Sequence, residues 1–506
     1  MDGRAWRAVA PLALTLILNT NAADAKWIVS PEIGLRELYS DNPTLATTDR
    51  RSELITQITP SIRVDGGGAR FKASLSYAPS AIFYARHTNE DRVANNLQAF
   101  GSLEAAEKFF FVDVNGVISQ GFISPLGAQP AEITSISSNR LEARSYGISP
   151  YVRGQAGSAF SYELRNRNTW TSSNNNALAD AHVTQWTGHA ISPIRLFGWA
   201  LEYDQNQISY TSLDRPDYSS KLYRGRLYFQ PDVDLRLSAS AGREENNYIL
   251  QQERSYYIHG AGVLWKPGPR TTADLEYERR FFGPSRLASL EHRTRLTAWT
   301  LAYSKNTSSY PQELLRLPPG NTAALLDAIF AARIPDPAER QAAVEQFMRA
   351  SGTPAFLSNP LSFYTQQIFL QERLEASVAL LGKRNSLIFT GFRSEITSLS
   401  GGVGSVLPDA FTTGGRFTQR GFGVNASHQV TPFTTLGASA RRTFVRQEEP
   451  TTADTRNDYL ALSLTNTLSP KTTAFAGLSY SGFASSPGAA VYGNARSAFI
   501  GLNHRF

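Results

Sequence analysis

Charged side chains recur on alternate residues in this sequence, and that spacing is the first chemical clue it offers. Lys72, Arg224, Arg226, Arg236, Glu276, Glu278, Arg293, Arg295 and Arg373, joined by Asp234, Asp274 and Glu375, stand one residue out of phase with an apolar set. Residues two apart on an extended chain share a face, so these groups make a polar face of mixed sign. Such a face can draw in or reject a charged passenger through its local field, or it can form ladders that brace an interior. Both readings stand. Catalytic patterns are missing. The seven histidines, His87, His182, His189, His259, His292, His428 and His504, include no two at metal-ligand spacing with supporting carboxylates. Gly66-Gly67-Gly68 reads as a turn and Gly401-Gly402-Val403-Gly404 as a loop, not as phosphate cradles. Gly477-Leu478-Ser479-Tyr480-Ser481 lacks the last glycine of a nucleophile elbow. Glu244 and Glu245 read as solvated loop carboxylates. With no cysteine, disulfides, thiolate metal sites and thiol chemistry are excluded. No catalytic, cofactor-binding or metal-ligating residue is expected, and the chain is not expected to be an enzyme. A site assembled from distant strands and acting on lipid or polymer is the one route by which it could be.

The elements that must position this polar face are strands. Phe71, Ala73, Leu75 and Tyr77 alternate with Arg70, Lys72, Ser74 and Ser76; Leu460, Leu462 and Leu464 alternate with Ala461, Ser463 and Thr465. This period of two persists along nearly the whole chain. Pro193, Pro231 and Pro267 mark tight turns 38 and 36 residues apart, and Pro432 and Pro470 recur at 38. Each interval holds two strands and one longer polar connection. Short turns at one rim and long loops at the other are the pattern of a transmembrane barrel, which a sandwich has no reason to imitate. The expected fold is all-β, a transmembrane antiparallel up-and-down barrel of about 22 strands, within 18 to 24.

Composition agrees. The chain is 41% hydrophobic, 18% charged and 11% aromatic, with a mean hydropathy of −0.29, too polar for a helical bundle in lipid. Arg4 and Arg7, the apolar run Ala8 to Leu18 and Ala23-Asp24-Ala25 make residues 1–25 an expected signal peptide. Residues 26–506 form the barrel, and a bacterial outer membrane is the expected location. Only eight of the 50 basic residues are lysine, and the formal charge is +7. An arginine excess suits carboxylate, phosphate or sulfate groups, so outer-membrane lipid, lipopolysaccharide and an anionic polysaccharide are the expected partners. No basic cluster or recognition motif points to nucleic acid.

Two segments stand apart. The last strand carries Ala498, Ile500, Leu502, His504 and Phe506 on one face, and the terminal aromatic Phe506 is the expected assembly signal for the barrel assembly machinery. Between 309 and 360 the period changes: Asn321 or Thr322 can cap a helix bearing Leu325, Leu326, Ile329 and Phe330. Asp336, with Pro337, Glu339 and a stop at Gly352, frames a second helix with Val344, Phe347 and Met348 on one face. By strand parity this insertion starts on the outer side, where it covers the mouth, enters the lumen or packs on the rim.

Trp27-Ile28-Val29-Ser30-Pro31, followed by Leu38-Tyr39-Ser40-Asp41-Asn42 and Ile58-Thr59-Pro60, resembles the start of the outer-membrane β-barrel proteins associated with PEP-CTERM/exosortase systems. His292-Arg293-Thr294-Arg295 with Leu301-Ala302-Tyr303-Ser304, and Ile334-Pro335-Asp336-Pro337 with Arg340, are similar to that family's middle region. The resemblance spans most of the chain after residue 25 and carries over no catalytic residue. It implies a place beside exopolysaccharide production and surface-protein sorting, most simply as a conduit. The alternatives are a scaffold with a filled lumen and an enzyme acting on lipid or polymer.

Overall fold

The structure, a computed structural model, describes residues 26–506 apart from 176–178, 212–216, 250–251, 316–321, 332–333, 352–364, 400–414, 450–451 and 487–490. The expected signal peptide, Asn321 and Gly352 lie outside the described residues. The first strands are β1 (Lys26–Ser40), β2 (Glu53–Gly67), β3 (Phe71–Tyr77), β4 (Ser80–Tyr84), β5 (Arg92–Ala94), β6 (Leu97–Ala106), β7 (Phe110–Phe122) and β8 (Arg140–Ala156). Next come β9 (Phe160–Ser173), β10 (Ala181–Ile191), β11 (Phe197–Tyr210), β12 (Tyr218–Asp232), β13 (Leu235–Asn246), β14 (Arg254–Gly268), β15 (Thr271–Arg280), β16 (Gly283–Arg293) and β17 (Thr297–Ser308). After the insertion follow β18 (Phe369–Leu381), β19 (Asn385–Ser398), β20 (Arg416–Gln429), β21 (Thr434–Glu449), β22 (Ala453–Ser469), β23 (Thr472–Ser486) and β24 (Val491–Arg505).

Every neighbour pairs antiparallel, and β1 pairs β24 from Glu32↔Arg505 to Ser40↔Ser497, which closes the sheet. β3 and β4 are one stave, both paired to β2 and broken at Ala78-Pro79, where proline has no N–H for the ladder. β5 and β6 likewise form one stave, interrupted where Glu142 Oε2 accepts from both the backbone and side-chain nitrogens of Asn95. The described residues therefore form a closed antiparallel barrel of 22 staves. At a strand spacing of ~4.8 Å and a tilt of ~40° it is about 40 Å across.

The alternation sorts side chains inside out relative to a soluble protein. Leu201, Leu227, Leu275, Leu460, Leu462 and Leu478 are exposed on the outer wall, while Asn206, Glu244, Ser394 and Gln419 are buried on the inner one. Trp27, Phe71, Phe197, Trp199, Phe229, Trp265 and Trp299 gather on the outer wall near the short turns, with Trp27 and Phe71 at 5.9 Å and Phe197 and Phe229 at 5.2 Å between ring centres. Tyr203 and Tyr223, at 5.1 Å, stand nearer the long loops. From Tyr257 to Trp265 is eight residues, about 26 Å of strand or about 20 Å of height at that tilt, close to an apolar band ~25 Å tall between aromatic girdles. No described helix is long and apolar enough to cross a membrane; the strands do so. The chain is an outer-membrane β-barrel.

The connection between β17 and β18 is longer than expected, reaching 368, because β18 starts at Phe369 rather than near 361. It contains α1 (Tyr310–Leu315), a turn of helix with no clear sequence cue, α2 (Thr322–Phe330) and α3 (Pro337–Ser351). Asp336 Oδ1 accepts the Glu339 N–H at 2.8 Å at the start of α3, as an N-cap does. Arg340 ties α3 to Asp327 of α2 at 2.6 Å. Leu325, Leu326 and Ile329 of α2 and Val344 of α3 pack on Ala298, Ala379, Leu381 and Ile388. Those four wall residues share the inner face, near the short-turn ends of β17, β18 and β19. Glu345 of α3 meets Arg63 on the inner face of β2 at 2.7 Å.

Candidate functional site

The inner wall over β11 to β15 is a continuous ion-paired ladder. Arg224 Nη1 lies 2.8 Å from Glu202 and its Nη2 2.7 Å from Glu278; Arg226 Nε lies 2.9 Å from Glu202 and its Nη1 2.6 Å from Glu276. The two arginines stand on β12 and the two distal glutamates on β15, with β13 and β14 between them. Small inner-face residues on those strands let the long side chains lie flat. A Cβ on Gly260 would come within 2.3 Å of Tyr277 O and 2.9 Å of Ser240 Oγ, so this position is shaped for glycine. One rung higher, Arg280 holds Glu244 at 2.6 Å, and Glu244 is 2% exposed. The reading of Glu244 as a solvated loop carboxylate is thus corrected: β13 runs to Asn246, which places Glu244 on the buried inner face.

Of the residues singled out by spacing, Arg224, Arg226, Glu276 and Glu278 come together. Arg236 shares their face and lies 5.3 Å from the centre of the Tyr228 ring. Arg373 pairs with Glu375 two residues on, both buried on the inner face of β18. Lys72 is on the inner face of β3 near its short-turn end, and Arg293 ends β16 with a bond to Pro269 O at 3.2 Å. Arg295 is not on the wall. It lies exposed in the turn 294–296, where Thr294 Oγ1 accepts the N–H groups of Leu296 and Thr297 and draws the chain off the ladder. Glu202, Asp204 and Arg280 belong to the same wall and were not singled out; their period-two spacing with Glu244 and the other inner-face charges was the available signal. Outside, Arg393, Arg416, Arg442, Arg446 and Arg456 stand on the outer wall toward the long-loop ends of β19 to β22, with side chains 40 to 67% exposed. The arginine excess is therefore spread over both walls. Among the described residues no group of three or more His, Cys, Asp or Glu is placed to hold a metal ion.

A second inward element carries no obvious sequence signature. The connection 123–139 between β7 and β8 crosses the outer mouth instead of standing above it. Leu126 packs against Phe369, Ile396, Phe417 and Val445, while Ile133 and Ile136 pack against Leu38, Ile55, Ile82 and Tyr84. Glu132 accepts from Arg36 of β1 at 2.9 Å and from Tyr459 of β22 at 3.1 Å. Gln129 and Asn457 exchange two hydrogen bonds at 3.3 and 3.1 Å. Arg92 donates to the carbonyls of Ile133 and Ser135, and Tyr84 to that of Thr134. This strap satisfies its own backbone on the barrel wall, which is how irregular chain is accommodated at membrane depth.

No family model and no curated protein matches the chain. Solved structures to which it is similar include the siderophore receptor PirA from Pseudomonas aeruginosa, at 8% identity over 94% of this chain and 80% of that one, with a TM-score of 0.38. The FrpB iron transporter from Neisseria meningitidis matches at 10% identity over 94% and 81%, TM-score 0.40. OccAB2 of Acinetobacter baumannii matches at 9% over 94% and 98%, TM-score 0.34. These likenesses concern barrel outline alone, and the fold stands on its own geometry.

Proposed function

We propose that this barrel is an outer-membrane conduit held closed by its own inward segments, and that it serves the export of an extracellular polysaccharide beside a PEP-CTERM/exosortase system. One observation supports the conduit most directly. The helical insertion meets the wall through small apolar contacts, Leu326 and Ile329 on Ala298, Ala379 and Ile388, whereas the wall beside it stays polar and ion-paired. A segment seated on the wall rather than woven into its ladder is a removable obstruction, and a 22-stranded barrel without one is wide enough for a large passenger. The polysaccharide link comes from the sequence resemblance, and Phe506, lipid-facing and 65% exposed, suits recognition by the assembly machinery.

The test is conductance in planar bilayers. The full chain is expected to show small or rare openings, and deletion of 309–368 a large, stable current. In cells, deleting the gene is expected to remove the surface polymer; normal polymer would end the export reading. A second reading, a scaffold with a filled lumen, is favoured by the apolar clusters that anchor both inward segments. Silence from the full chain and from the deletion alike would select it.

A further inference from the structure

Below the outer mouth, the inner wall of β10 to β13, β15 and β17 encloses a cavity of about 530 Å³. That is within the size range of small-molecule sites and holds on the order of 18 waters at ~30 Å³ each. Both ends of the insertion roof it: Gln312 of α1 lines it, and Ile368 lines it while sealing against Val183, Ile208, Tyr218 and Tyr248.

Its lining is polar, and the terminal nitrogens of its arginines are engaged. Arg224 has its two terminal nitrogens on Glu202 and Glu278. Arg280 has Nε and Nη2 on Glu244 and Nη1 on Asn306 Oδ1 at 2.6 Å. The Arg224 Nε is buried without a partner among the described residues, so one donor is open, but neither arginine presents a free two-pronged fork to an anion. Against these two arginines and the His189 ring stand three carboxylates, Glu202, Asp204 and Glu244, and Asp204 takes a hydrogen bond from Gln185 Nε2 at 2.8 Å with no cation in ion-pair contact among the described residues. Asn206 is 4% exposed and its Oδ1, on the cavity wall, has no partner among the described residues. Tyr248, just beyond β13, is buried, which pushes its hydroxyl up to about 12 and keeps it a neutral group. Buried acceptors without donors are costly. Here the open acceptors are a carboxylate and an amide oxygen, in a chamber of hydroxyls and amides.

We propose that this cavity binds a neutral, polyhydroxylated molecule, a short uncharged saccharide in chemical type, whose hydroxyls donate to Asn206 Oδ1 and the Asp204 carboxylate. An anion would meet three carboxylates with the arginines already engaged, and a cation would meet Arg224 and Arg280 on the same wall. The proposal deepens the conduit reading and rests on it for access to the lumen.

The probes are maltotriose, trigalacturonate and spermidine, titrated calorimetrically into the purified full-length barrel in detergent. Maltotriose is expected to bind and the two charged probes to bind more weakly. Asn206→Leu keeps the size and removes the open acceptor, and should weaken maltotriose about tenfold, the loss of one good hydrogen bond. Asp204→Asn is a second variant with the same expected direction, and Arg393→Gln on the outer wall should leave binding unchanged. Preference for trigalacturonate or spermidine, or wild-type maltotriose affinity in both cavity variants, overturns the proposal. The two readings fail separately: binding without conductance in the 309–368 deletion removes the conduit and leaves the site, and conductance without binding does the reverse.

Discussion

At the scale of single residues, the inner wall behaves like the interior of a soluble protein. Glu244 and Arg280 have side chains 2 and 11% exposed, so neither can turn to bulk water if its partner is lost. Removing one partner of a buried pair typically costs about 3–5 kcal/mol, because the other charge is stranded. Arg280→Ala is expected to lower the unfolding free energy of the detergent-solubilised barrel, read from its urea transition, by an amount of that order. The double replacement Glu244→Leu with Arg280→Met should recover most of it; a double variant no more stable than the single would contradict the pairing. Gly260→Val places new atoms against Tyr277 O and Ser240 Oγ, and overpacking of this kind costs about 1–3 kcal/mol. Its expected signature is a lower yield of heat-modifiable, folded barrel, with Ala241→Val on the opposite, lipid-facing side tolerated.

At the scale of elements, the insertion and the strap differ in how they are held. The described part of the insertion relies on helix caps, an apolar patch and the Glu345–Arg63 ion pair. Asp336→Ala should cost α3 about 0.5–2 kcal/mol, read as faster amide exchange through 337–351 with the barrel strands unaffected. Ile329→Asp should undock α2 and raise single-channel current toward that of the 309–368 deletion; an unchanged current would mean that the hairpin does not obstruct. The two helices were legible because caps and i, i+3, i+4 spacing are local signals. α1 was not, being a single turn. The strap was not either, since Ser124-Pro125-Leu126-Gly127 has the composition of any surface loop. Ile123, Leu126, Ile133 and Ile136 hint that it is covered, and a few apolar residues do not say by what.

At the scale of the whole molecule, the barrel was readable because its pattern repeats: the proline-marked turns and the period of two give about 22 strands, and 22 staves close the sheet. Lumen charge was only half readable. Parity puts Arg224 and Glu276 on one face, but pairing depends on which strands are neighbours and on small residues between them, neither of which one strand encodes. The consequence is electrical. With Arg224, Arg226, Arg280 and Arg373 matched by carboxylates, the open barrel should discriminate weakly between potassium and chloride. In the 309–368 deletion the reversal potential under a salt gradient should lie near zero, and Glu276→Gln with Glu278→Gln should move it toward chloride. A strongly chloride-selective parent would show instead that the arginines act unpaired.

A closed ring of strands is stiff along each strand and soft to flattening, the deformation that turns a circular hoop into an ellipse. The segment 123–139 runs as a chord inside that hoop, fastened at Arg36 on β1 and at Asn457 and Tyr459 on β22. Those attachments lie on either side of the β1–β24 seam, where first strand meets last. A chord across a hoop fixes one diameter, so the mouth cannot breathe symmetrically: whatever widens it must do so along the opposite arc, β8 to β17, where the roofed cavity lies.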